Sequence, residues 1–127
     1  MFLGLEHTAI ATPDPQKLAQ WYVERLGFTI NFFSPSSKTT FVRAPNGSMF
    51  EMIVSEGERP ASGLRSPGLR HLAIAVDDFA SAYASLQAHG VQFLSEPEIN
   101  PAGNSLVFFA DPEGNVLHLI QRAHPLP

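Results

Sequence analysis

Four residues have side chains able to hold a cation, and each lies in a stretch where apolar residues alternate with others: His7, Glu51, His71 and His118. Neutral imidazole and ionised carboxylate are the usual ligands of a divalent transition metal. Period two decides which neighbours share their faces. His7 falls with Ala9 and Ala11, and His71 with Ala73 and Ala75, leaving Thr8/Ile10 and Leu72/Ile74/Val76 on the opposite faces. Glu51 falls with Met49 and Ile53, and His118 with Val116 and Ile120, which leaves Phe50/Met52 and Leu117/Leu119 to face a core. The four polar side chains are therefore expected to turn away from the helix-packed core into one concave space. A buried carboxylate or imidazole without a partner costs on the order of several kcal/mol, and a shared cation would remove that cost. A single histidine in a strand is more often a hydrogen-bonded core or surface residue than a ligand, and a single glutamate usually lies on a solvated edge. The joint pattern favours the metal, because the two histidines occupy one repeat position and Glu51 and His118 another. His89, beside Gly90 at a helix end, suits the helix dipole and is given no function. His124 lies in a Pro-rich tail. Trp21, Tyr22 and most of the phenylalanines are read as core.

The repeat that places these residues is legible without a gap near the end of each half. Phe41-Val-Arg-Ala-Pro-Asn-Gly-Ser-Met-Phe-Glu-Met-Ile53 lies over Phe108-Phe-Ala-Asp-Pro-Glu-Gly-Asn-Val-Leu-His-Leu-Ile120. The starts also match, His7-Thr-Ala-Ile-Ala11 over His71-Leu-Ala-Ile-Ala75, in a register that differs by three residues. The second unit therefore carries a short insertion in its middle. Each unit opens with a strand. A helix follows, begun by Asp14-Pro15 in the first unit and by Asp77 or Asp78 in the second, and ended by Gly27 or Gly90. Three β-like runs then come at 28–33, 39–43 and 48–54, and at 91–95, 105–110 and 115–122. Pro-Asn-Gly and Pro-Glu-Gly join the last two runs of each unit as tight turns. The expected fold class is α+β: two βαβββ modules forming a curved sheet with helices outside. The chain reads as a single domain, 1–127, with module one at 1–55, a Pro/Gly/Ser-rich linker at 56–70 and module two at 71–124. A sheet with a helix on one face needs a partner for the other, supplied by the second half or by another chain.

Length and composition set the outer bounds. With 127 residues, 44% apolar and 16% charged, the chain suits one soluble folded domain. A net charge of −4 with no Lys/Arg run gives no electrostatic reason to bind nucleic acid. The absence of cysteine excludes disulfides, thiolate metal sites and a cysteine nucleophile. No segment reads as a membrane span or a signal peptide, so no membrane partner and a cytoplasmic location are expected.

The strand-initial histidines, Glu51, the Asp111-Pro-Glu-Gly-Asn115 turn and the Trp21-Tyr22…Leu26-Gly27-Phe28 helix end resemble the vicinal oxygen chelate superfamily, which includes glyoxalase, bleomycin-resistance and dioxygenase-like proteins. The likeness covers almost the whole chain. It implies paired βαβββ units cupping a divalent metal that chelates neighbouring oxygens of a small-molecule substrate, commonly in a homodimer. Residue by residue, it implies that His7, Glu51 and His71 are metal ligands. It also implies Glu51 as the catalytic base, taking a proton from the carbon beside a carbonyl. His118 departs from the pattern, because glutamate is usual there; it is read as a fourth ligand or a weaker base. Three imidazoles and one carboxylate leave a dication with net positive charge and favour Zn, Ni, Co or Fe over Mg or Ca. The implied activity is a glyoxalase-like metal-dependent lyase or isomerase, acting on a substrate such as a 2-oxoaldehyde–thiol adduct. The rivals are an Fe(II) dioxygenase-like enzyme, a fosfomycin-type thiol transferase and a metal-free binding protein of the bleomycin-resistance type.

Overall fold

Asp14 and Asp78 each precede a helix, and each carboxylate accepts the backbone N–H three residues on, from Lys17 and Ser81. In the computed structural model, which describes all of residues 1–127, these caps start α1 (Pro15–Leu26) and α2 (Phe79–Ala88). Of the two candidate aspartates in the second unit, Asp78 is the cap. Its neighbour Asp77 instead offers its carbonyl to the Gln121 side-chain amide. Gly27 and Gly90 end the helices in left-handed conformation, φ 72° and 68°, where a Cβ would be unfavourable. His89 donates from Nδ1 to the Ser85 carbonyl at 2.8 Å, a second donor to an acceptor that also takes the His89 backbone N–H.

The chain divides into two units, Met1–Arg59 and Pro60–Pro127. The first contains β1 (Thr8–Thr12), α1, β2 (Thr29–Phe33), β3 (Thr40–Arg43) and β4 (Met49–Val54), in sheet order β1-β4-β3-β2. β1 runs parallel to β4, and the other pairs are antiparallel. The helix covers one face. Tyr22 is fully buried there and meets Phe28, Phe50 and Trp21 ring to ring, over Ile10, Val42 and Met52.

The second unit repeats the plan with β5 (Leu72–Ala75), α2, β6 (Gln92–Phe93), β7 (Glu98–Ile99), β8 (Ser105–Ala110) and β9 (Val116–Gln121). β5 runs parallel to β9, β8 pairs antiparallel with β9, and both β6 and β7 lie along the other edge of β8. Val107, Phe109, Leu117 and Leu119 form its core face. This unit differs from the sequence expectation. The run expected over 91–95 is a two-residue strand, and the segment expected as loop holds β7. Pro97 has no N–H for the ladder and interrupts the strand. Ser95 Oγ takes the bond from Phe108 N–H at the break. Asn100 Oδ1 then accepts from Ala102 and Asn104 N–H and tightens the β7–β8 turn. The extra residues of the second repeat are thus spent on a short additional strand.

Candidate functional site

Parallel pairing of the first strand with the last sets the geometry in each unit. Ala9 stands opposite Glu51, and Ala73 stands opposite His118. The histidine two residues before each alanine points to the same face, so His7 meets Glu51 and His71 meets His118. Phe41 is paired with Glu51 and Phe108 with His118 on the antiparallel side. The two units therefore hold the same trio, a histidine, a ligand-type side chain and a phenylalanine, on the face away from the helix.

In the first unit His7 Nε2 lies 3.6 Å from Glu51 Oε1. Nδ1 of the same ring is 3.1 Å from Glu6 Oε2. An ionised carboxylate only accepts, so Nδ1 is the donor, and in the neutral ring the lone pair of Nε2 faces the Glu51 oxygen. Two acceptors facing each other repel, and either a proton on Nε2 or a metal ion between them would turn the contact favourable. A carboxylate orienting a histidine through its far nitrogen is also a recurrent support of metal ligands. Phe41 meets the His7 ring edge-on at 5.4 Å. The pair is reachable from solvent, with His7 34% and Glu51 25% exposed.

In the second unit the His71 and His118 ring centroids are 4.5 Å apart, and Phe108 stacks on His118 at 4.9 Å. Burial, then the nearby His71 and Arg122, holds the His118 pKa below its ordinary value, so the ring favours its neutral form. Its Nδ1 is buried with no hydrogen-bond partner. An unsatisfied buried polar atom of this kind costs about 1–3 kcal/mol, and ligation would remove the cost. Each pair offers donor types, imidazole with carboxylate in the first unit and imidazole with imidazole in the second, that suit a nitrogen-preferring divalent metal.

The structure thus brings the four residues into two pairs, one within each unit. No group of three or more His, Cys, Asp or Glu side chains is arranged to hold a metal ion. His89 is tied to its helix end, and His124 is exposed in the tail. Phe41 and Phe108, two of the phenylalanines that could line a pocket although most were expected in the core, stand on the site face. Hairpin register was the signal for them: a tight turn at Gly47 or Gly114 fixes the residue opposite Glu51 or His118. Met49 shares the first unit's site face, as period two expects, and Arg43, Asn31 and Phe32 lie on it as well, with no sequence feature marking them.

The family model of the Glyoxalase/Bleomycin resistance protein/Dioxygenase superfamily matches residues 4–119. Uncharacterized protein YaeR of Escherichia coli is 32% identical over 130 residues, covering 94% of this chain and 99% of that one. The mitochondrial methylmalonyl-CoA epimerase of Homo sapiens is 29% identical, over 94% of this chain and 73% of its own. Among solved structures, a glyoxalase family protein from Enterococcus faecalis superposes with a TM-score of 0.75 at 27% identity, covering 94% of this chain and 98% of that one. No helix is long and apolar enough to cross a membrane.

Proposed function

Because the chain belongs to the Glyoxalase/Bleomycin resistance protein/Dioxygenase superfamily, we propose that it is a metal-dependent lyase or isomerase of glyoxalase type. His7, Glu51, His71 and His118 would hold one divalent ion, with Zn, Ni, Co or Fe preferred by the donor set. The ion supplies a Lewis acid that polarises neighbouring oxygens of a small substrate. Glu51 takes a proton from the carbon beside the substrate carbonyl and returns it to an adjacent position. Its partial exposure leaves room for that carbon. Phe41 and Phe108 wall the ligand pairs and lower the local dielectric around them. A homodimer belongs to the same reading and follows from the resemblance, while a cytoplasmic location follows from the sequence expectation that no segment is a signal peptide or membrane span.

The observation that carries the reading is the His7–Glu51 contact with Glu6 behind it, repeated in register by His71–His118. Elemental analysis of protein purified without an affinity tag tests it. About one metal per chain is expected, with loss in both His7→Ala and His71→Ala. Wash-in of solvent deuterium beside the carbonyl of a methylglyoxal–thiol adduct tests the proton step. Glu51→Gln should reduce it by about 100-fold or more. A chain that binds none of Zn, Ni, Co or Fe(II) would instead be read as a metal-free binding protein.

A further inference from the structure

The sheet of the first unit is irregular at one point. Ile30 pairs with Val42 and Phe32 with Phe41, so Asn31 is an extra residue in β2. A bulge of this kind re-aims side chains and lets two consecutive residues serve one face. Here both do. Phe32 meets Phe41 edge-on at 6.0 Å, and Asn31 Nδ2 reaches Met49 Sδ at 3.5 Å. Met49 and Arg43 are directly paired, one two-residue step from Glu51 and Phe41. They stand about 7 Å along the strands from that pair.

Arg43 has the means to bind and no strong partner. Its guanidinium offers five donors, yet its side-chain contact is the Met49 thioether at 3.6 Å, a weak acceptor. No carboxylate lies within salt-bridge distance of it, although the chain is acidic overall. The Asn31 amide ends on the same sulfur. Two donors thus converge on a poor acceptor, beside an aromatic ring, Phe32, that is 53% exposed. Carboxylate and phosphate oxygens match a guanidinium fork far better than sulfur does.

We propose that Arg43 and Asn31 form an oxyanion-binding subsite that orients an anionic, partly apolar ligand against the His7–Glu51 pair. The carboxylate or phosphate end lies on Arg43 and Asn31, the apolar part lies on Phe32, and the reacting end extends toward Glu51. The assignment rests on the reading of the His7–Glu51 face as the ligand-binding face and requires no metal.

Calorimetric titration of the full chain, as purified, tests it with phenylpyruvate, its methyl ester and phenyl phosphate. Phenylpyruvate should bind about tenfold more tightly than the ester, as expected for a charge-assisted fork. Phenyl phosphate reports whether a phosphate is accepted as well as a carboxylate. Arg43→Gln should abolish the preference over the ester, and Arg43→Lys should keep part of it. Phe32→Ala should weaken acid and ester alike. Both positions are solvent-exposed, so thermal melting should be little altered. His7→Ala should keep the acid-over-ester preference, which separates this inference from the metal reading. Equal binding of acid and ester, or an unchanged preference in Arg43→Gln, would overturn the subsite even where elemental analysis finds the metal.

Discussion

Under the proposed reading, His118 is the residue that most distinguishes the donor set, and its surroundings suit a neutral ring. Phe108 stacks on it, His71 packs against both rings, and one nitrogen is buried without a partner. Replacing it by glutamate would add a second carboxylate to the set and shift preference toward oxygen-seeking ions. Competition of Mn(II) or Mg(II) against Zn(II), read by elemental analysis, should therefore move toward Mn(II) and Mg(II) in His118→Glu. Titration has a defined sign as well. The pKa of His118 is below its ordinary 6.5, so the folded chain binds this proton less readily than the unfolded one. The contribution is intact above pH 6.5 and is lost as pH falls toward and through the depressed value. Urea melts of metal-free protein should show stability falling through that window, with a shallower fall in His118→Gln.

At the scale of elements, register does the positioning. Gln121, at the end of β9, reaches the start of α2: its Oε1 accepts from Phe79 N–H at 2.8 Å, and its Nε2 donates to the Asp77 carbonyl at 2.9 Å. This side chain ties α2 to the strand that carries His118, three residues earlier. Gln121→Leu removes both bonds and leaves the first helical N–H short of a partner. A loss of about 1–3 kcal/mol is expected in chemical denaturation. Asp14→Ala removes the α1 cap and should cost about 1 kcal/mol in the same assay. The β2 bulge shows a different kind of positioning, in which one inserted residue recruits Asn31 and Phe32 to the face of Glu51.

For the whole molecule, ligation and folding are linked. An ion that binds the folded chain raises its stability by about 2.7 kcal/mol at roughly a hundredfold excess over Kd. Under the proposed reading, Zn(II) or Ni(II) should raise Tm in the wild type and a chelator should lower it. The His7→Ala/His71→Ala double variant should respond to neither. Light scattering coupled to size-exclusion chromatography checks the proposed dimer, for which a mass near twice that of one 13.9 kDa chain is expected.

Much of this was legible in the chain itself, because it depends on local rules. Proline at the first helical position after aspartate, glycine at a left-handed cap and period two along strands each act over a few residues. They therefore predicted α1 and α2, and the faces on which His7 meets Glu51 and His71 meets His118 within each unit. The duplicated Pro-x-Gly turns did the same for the β3–β4 and β8–β9 hairpins. What needed the tertiary structure was every relation set by pairing between distant strands. The His7–Glu51 contact and the tie from Gln121 to α2 both depend on register across residues far apart in the chain. The same holds for the bulge at Asn31, which appears only when two strands are counted against each other. A side chain's face can be read from its neighbours in sequence, but its partner across the sheet cannot.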